Sequence, residues 1–271
     1  MSIALTIITV NLNDSPGLQK TIQSVINQSF DEFEYVVIDG GSSDNSVEVI
    51  KRYGGRIKYW VSEKDKGIYN AMNKGLNKAT GTFCLFLNSG DYLFADNTLA
   101  QVKNFLKGGY DIVYGSMYQK FSEHFILKKY PFPFTLYNFA NSSLPHPCSF
   151  VRTALLKKMN GYDDEFMIVS DWIFFMRAFV EERAIFSRID QPISVHNMFG
   201  ISNRPNQFAD EPEKAILKYY PHLKLDFEHL RNLQSYEAST AYQTFKAALE
   251  KLKIVRKIFQ KMRRNKKALT I

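Results

Sequence analysis

Residues 3–26 read IALTIITVNLNDSPGLQKTIQSVI, and the change of period inside this stretch decides the fold class. Residues 3–10 are an unbroken apolar run rich in β-branched side chains, the mark of a strand buried on both faces. A polar break from Asn11 follows, with Ser15 and Pro16 at the N-cap and first-turn positions of a helix. That helix carries Leu18, Ile22, Val25 and Ile26 on one side. A strand that is apolar throughout, leading straight into an amphipathic helix, is the repeating unit of a parallel sheet covered by helices.

The unit recurs three times. Residues 33–38 (FEYVVI) run through Asp39 and a Gly-Gly-Ser-Ser turn into a short helix holding Val47, Ile50 and Tyr53. Residues 57–61 (IKYWV) lead to Glu63, Lys64, Asp65, Lys66 and Gly67, then to a helix with Ile68, Met72 and Leu76 at four-residue spacing. Residues 82–87 (TFCLFL) end at Asn88, Ser89, Gly90 and Asp91. The expectation is an α/β fold with a mostly parallel central sheet flanked by helices. Beyond residue 110 the alternation loosens. Strands are expected at 111–117 and 124–130, and the Pro- and aromatic-rich stretch from Tyr130 to Pro147 reads as an ordered insertion shaping an acceptor side. A helix is expected from Asp171 to Glu182, and a long amphipathic one over 237–264.

At 271 residues, 45% hydrophobic and 14% aromatic, the chain can bury a large core. MSIALTIITV lacks a basic leader and a small-residue cleavage pattern and reads as a first strand. No stretch reaches the roughly 18 apolar residues that span a bilayer. Cys84 and Cys148 give neither a disulfide framework nor metal spacing, so a reducing cytoplasm is expected. The net charge of +8 is local: 251–267 holds nine Lys or Arg and no acid, leaving 26 basic against 27 acidic residues elsewhere. This excludes a basic nucleic-acid-binding face on the rest of the chain.

In parallel α/β sheets, ligands sit at the carboxyl ends of strands. Asn11, Asp39, Asp65 and Asp91 each follow one of four successive strands. Singly, each is an ordinary turn or cap residue; together they suit a nucleotide diphosphate, with one carboxylate or amide on the nucleoside and another on a hard cation bridging phosphate oxygens. No Gly-rich phosphate loop is present.

Three segments, TIITVNLNDSPGLQKTIQSVINQSF, EYVVIDGGSSDNS and SEKDKGIYNAMNKGLNKATGTFCLFLNSGDYL, make the chain resemble the family 2 glycosyltransferases of GT-A fold, over about residues 3–202. The resemblance implies a Rossmann-like GT-A domain over 1–205, with a nucleotide-sugar-binding half (1–110), an acceptor half (111–205) and a helical extension (206–271). It implies that Asn11, Asp39 and Asp65 surround the nucleoside, with Asp39 and Asp65 toward the base. Asn88 to Asp91 stands where the family has its DxD metal motif, but only Asp91 is left to meet Mg2+ or Mn2+. Asp171 matches the second residue of an acidic pair whose carboxylate is the general base; Ser170 replaces the first. His196 lies where some relatives bring a His to the metal or diphosphate, and Gly200-Ile201-Ser202 after it reads as a closing loop. The implied activity is transfer of a sugar from a nucleotide sugar, a UDP-sugar, to a glycan or lipid-linked acceptor by metal-assisted displacement with inversion.

His146, between Pro145 and Pro147, reads as a turn residue; Trp60 reads as core, and Trp172 as core or acceptor-stacking. The tail 251–267 alternates Leu, Ile, Val and Phe with Lys and Arg, the pattern either of a helix on an anionic membrane surface, peripheral on the inner face of the cytoplasmic membrane, or of a solvated helix packed on its own domain or a partner. Two rival readings are a non-catalytic nucleotide-sugar-binding or membrane scaffold protein, and a sugar nucleotidyltransferase, for which the loop 11–17 lacks the Gly- and Arg-rich phosphate motif.

Overall fold

A computed structural model of the chain describes residues 4–198, 208–244, 246–248 and 253. Its contacts divide the chain into two compact units, one up to Tyr219 and one from Tyr220 onward. The first is built on β1 (Leu5–Asn11), β2 (Phe33–Asp39), β3 (Tyr59–Ser62) and β4 (Phe83–Phe86), which pair in parallel in the order β3-β2-β1-β4. All seven residues of β1 are buried, as a strand with helices on both faces must be.

Helices α1 (Ser15–Ile26), α2 (Ser46–Arg52) and α3 (Ile68–Lys78) follow β1, β2 and β3. The cap of α1 is Asp14, one residue before the expected Ser15: its Oδ1 accepts the Gly17 N–H at 3.1 Å, leaving Ser15 and Pro16 in the first turn. The mid-helix Gly75 of α3 reflects close approach to the sheet, because a Cβ there would lie 2.4 Å from Ile8 Cγ2 and 3.4 Å from Ile38 Cγ1.

The second half of the sheet departs from simple alternation. After Asp91 the chain forms β5 (Tyr92–Leu93) at the far edge of the sheet, then α4 (Thr98–Leu106) and the long β6 (Ile112–Phe121) with its hairpin partner β7 (His124–Lys128). α5 (Leu136–Asn141), β8 (Ser149–Arg152), α6 (Thr153–Lys158), α7 (Ser170–Val180), β9 (Phe186–Asn197) and α8 (Glu211–Tyr219) complete the unit. β8 is inserted antiparallel between β4 and β6, and β9 runs parallel to β6 and antiparallel to β5. β1–β4, β6 and β9 thus point one way and β5, β7 and β8 the other, so the sheet is mostly parallel.

β9 has no apolar run to announce it. Its sequence FSRIDQPISVHN puts Pro192 opposite Ser116 at a register shift, where a missing N–H is tolerated. The aromatic stretch before β8 is ordered around Phe134 and Phe139, whose rings lie 4.5 Å apart. In the second unit, α9 (Lys224–Ala238) ends where Ser239 turns extended (φ −66°, ψ 144°), so the helix expected over 237–264 is interrupted at its start. Apart from Lys253, the basic tail 251–267 lies outside the described residues, as does the loop at Gly200-Ile201-Ser202.

Replacing Gly75 with Ala should lower stability by about 1–3 kcal/mol, because the new methyl has to displace Ile8 from a close-packed layer. Urea unfolding, read by midpoint at unchanged slope, measures it; an unaltered midpoint would show that this face has slack.

Candidate active site

The carboxyl edge of the parallel strands begins at Asp39. This side chain has no exposed surface, yet it is ionised in character because it is saturated with donors. Its Oδ1 accepts Asn11 Nδ2–H (2.7 Å) and Ser42 Oγ–H (2.6 Å), while its Oδ2 accepts the Ser42 N–H (2.9 Å) and Ser62 Oγ–H (2.6 Å). Burial raises its pKa, but the bonds from Ser42, Ser62 and Asn11 outweigh burial and hold the carboxyl below its ordinary range. Four donors use the four acceptor positions of a carboxylate. Asp39 therefore fastens the loops after β1, β2 and β3 to one another.

Asp65 occupies the neighbouring position. Its Oδ1 accepts the Gly67 N–H at 3.0 Å, and its Oδ2, which takes no hydrogen bond from the described residues, lies so close over Gly40 that a Cβ there would be 2.5 Å from it. Asn13, at φ 53°, reaches across with its Oδ1 to the Ser43 N–H at 2.8 Å, joining the first two loops. The Asn11 Oδ1, buried at the end of β1, has no partner among the described residues. The result is a shelf with open acceptors at Asp65.

The second cluster is set by topology. Because β5 runs antiparallel to β9 with Tyr92 opposite Val195, the residue before Tyr92 meets the residue after Val195. Asp91 Oδ1 accepts both His196 Nδ1–H and the Asn197 N–H, each at 2.9 Å. Burial pulls the His196 pKa down, yet the charge and hydrogen bond of Asp91, with a further contribution from Asp171, raise it above its ordinary value. Thr21 in α1 anchors the same turn, donating from Oγ1 to Asp91 O at 2.6 Å and accepting the Gly90 N–H at 3.1 Å. Gly90 is required here by its φ of +90°.

Asp171 forms the third cluster. Helix α7 starts at Ser170 with no side-chain cap, and Asp171 in its first turn accepts the Trp172 N–H (2.8 Å) and the Tyr69 O–H (3.2 Å) on Oδ1. Burial, then the charge of Asp171, raise Tyr69 well above its ordinary pKa, so it stays a phenol and a donor. On the other oxygen, His146 Nδ1 lies 3.1 Å from Asp171 Oδ2. A ring nitrogen facing a carboxylate carries the hydrogen, so His146 Nε2 accepts Asn88 Nδ2–H, at 3.0 Å. The Asn88 Oδ1 is left buried without a partner among the described residues. Glu211 of α8 steadies the approach to α7, accepting the Met167 and Ile168 N–H groups at 2.7 and 2.9 Å.

The sequence candidates Asn11 and Asp39 thus touch directly, Asp91 and His196 touch directly, and Asn88 and Asp171 are joined through His146. The reading of His146 as a turn residue is corrected: it does begin a 3₁₀ turn, but its ring lies between the two clusters. Only the spacing of a His far from both partners carried that information, and no local pattern reveals it. Trp172 is core, with Nε1–H donated to Phe139 O at 2.7 Å, whereas Trp60 is only half-buried. As a metal site the edge is sparse: among the described residues no three His, Cys, Asp or Glu side chains converge. Asp91 Oδ2 takes no hydrogen bond from them, so what the chain offers a hard cation is that one carboxylate oxygen. A single carboxylate fits an ion whose other ligands are phosphate and water.

Comparison with known proteins gives the family and the fold. The model of Glycosyl transferase family 2 matches residues 6–179, and the chain belongs to that family. An uncharacterised glycosyltransferase of Mycobacterium tuberculosis is 35% identical over 179 residues, covering 64% of this chain and 68% of the relative. An Escherichia coli enzyme described as UDP-Glc:alpha-D-GlcNAc-diphosphoundecaprenol beta-1,3-glucosyltransferase is 32% identical over 130 residues, 48% of this chain and 51% of its own. The crystal structure of S. aureus TarS residues 1–349 in complex with UDP superposes with a TM-score of 0.58 at 23% identity, over 72% of this chain and 60% of that one. The fold is GT-A.

Asp39→Asn should cost about 1–3 kcal/mol of stability, since one acceptor oxygen is lost where four donors converge: an NH2 toward Oδ2's place faces the fixed Ser42 N–H, and one toward Oδ1's place forces the Asn11 amide and Ser42 hydroxyl to turn. Asp65→Asn should stay within about 1 kcal/mol of the parent and yet weaken nucleotide binding. Urea unfolding of the two variants separates them; equal losses would contradict the division drawn between the two acids.

Proposed function

We propose that the chain transfers a sugar from a UDP-sugar to a hydroxyl of a glycan or lipid-linked acceptor, with inversion at the anomeric carbon. The observation that carries this is the link from Asn88, beside Asp91, through His146 to Asp171 at 3.0 and 3.1 Å, which brings a base-competent carboxylate to the edge where the leaving group is held. The UDP-bound neighbour and the relative named for UDP-Glc and a diphosphoundecaprenol-linked acceptor support this choice of donor and acceptor class.

In this reading the nucleoside lies on the shelf of Asn11, Asp39 and Asp65, with the open Asp65 oxygen toward the base. Asp91, His196 and Asn88 face the diphosphate. Protonated His196 adds positive charge next to the phosphates, consistent with its raised pKa. Mg2+ or Mn2+, when bound, offsets negative charge on the departing diphosphate, with Asp91 as the protein carboxylate that holds it. Asp171 takes the proton of the acceptor hydroxyl as that oxygen bonds to the anomeric carbon and the bond to the phosphate oxygen breaks, releasing UDP. Tyr69 and His146, donating to opposite oxygens of Asp171, fix its orientation. The enzyme acts at the cytoplasmic face of a membrane, where the basic tail 251–267 adds electrostatic attraction.

Calorimetric titration with UDP and Mn2+ should give a binding heat that Asp91→Ala reduces. Asp171→Asn should retain that heat while lowering transfer by about 10²–10⁴-fold, and His146→Ala should lower kcat by about 10–100-fold with KM for donor little changed. Absence of heat from the parent chain would overturn the reading, as would full transfer by Asp171→Asn.

A further inference from the structure

The β6–β7 hairpin exposes a cluster of large apolar side chains. Every residue of β7 is exposed, and Phe121, Phe125, Ile126 and Leu127 keep 36%, 52%, 54% and 37% of their surface. Pairing puts Lys120 opposite Phe125 and Tyr118 opposite Leu127 on one face, with Phe121 opposite His124 and Gln119 opposite Ile126 on the other. Apolar side chains therefore project from both faces. On the first, Phe94 extends the strip by stacking on Tyr118 at 5.2 Å. Pairing of β6 with β9 ends at Lys120, so the tip beyond it stands clear of the sheet with apolar side chains on both faces, as suits a medium that surrounds it.

The charges agree with such a medium. Lys120, Lys128 and Lys129 border the apolar tip and form no ion pair among the described residues, while Glu123 is the one acid between 117 and 132. Basic side chains around exposed Phe, Ile and Leu match an anionic headgroup layer, where the stems lie on apolar surface and the ammonium groups reach phosphate. Among the described residues the outer edge of β7 pairs with no other strand, so its backbone needs water or headgroups and the hairpin belongs at the headgroup–acyl boundary, not in the hydrocarbon.

We propose that the β6–β7 hairpin is a membrane-docking wing that lays Phe121, Phe125, Ile126 and Leu127 into the surface of an anionic bilayer. It leaves the sheet directly beside the site: Gln119 and Lys120 pair with His196 and Asn197 of β9, the residues that hold Asp91. Docking the wing sets the catalytic edge at the bilayer surface, in reach of a lipid-linked acceptor. This contact is independent of the basic tail and of the sugar transferred.

The test uses the full chain carrying Ile126→Trp, with the parent chain supplying the background of Trp60 and Trp172. Phosphatidylglycerol vesicles should shift the emission of the new indole to the blue, and bromine on the acyl chains should quench it. Affinity should be at least about tenfold above that for phosphatidylcholine vesicles. Adding Lys128→Glu and Lys129→Glu should remove the shift at the same lipid concentration, while thermal unfolding and the heat of UDP binding stay unchanged. The proposal is overturned if the indole does not respond although the chain sediments with the vesicles. It is equally overturned if the shift occurs without lipid and rises with protein concentration, since a second copy then covers the hairpin.

Discussion

The two hydrogen bonds that reach Asp91 Oδ1, from His196 Nδ1 and from the Asn197 backbone, are the constraint on which the rest of the site depends. They join residues 105 and 106 positions apart and exist because the chain, on leaving β4, crosses to the far edge of the sheet before returning through β9. A buried carboxylate is tolerable only when its charge is met, and an imidazole with a raised pKa plus a fixed N–H meets it without using the second oxygen. That leaves Asp91 held in place yet with one oxygen uncommitted, which is what a ligand to a cation requires.

The same logic separates the acids along the edge. Asp39 spends its acceptor capacity on Asn11, Ser42 and Ser62, so it builds the pocket; Asp65, with one oxygen free over Gly40, is placed to meet something brought from outside. Asp171 lies between these cases, oriented from both sides by Tyr69 and His146. Three carboxylates of one chemical type thus differ in task through the number of donors around each.

Much of the first half was legible in the sequence because strand and helix signals there are local. Apolar runs named β1, β2 and β4 almost to the residue, and the polar residues ending them were bound to share one edge once the sheet was parallel. The second half resisted because its information is not local. β9 contains Asp190, Gln191 and Pro192 and earns its place by pairing with two strands, and the reach of His146 depends on β8 inserting between β4 and β6. Capping was misplaced by one residue at α1 because Asp14 and Ser15 are both good caps, and only the geometry of the loop chooses between them.

In the proposed mechanism Asp171 acts as a base in a single displacement at a donor held by the strand-end cluster. The most direct measurement is the anomeric configuration of the transferred sugar, read by the proton coupling constant of the product in NMR. A single displacement predicts the configuration opposite to that of the donor. Retention of the donor's configuration would contradict it.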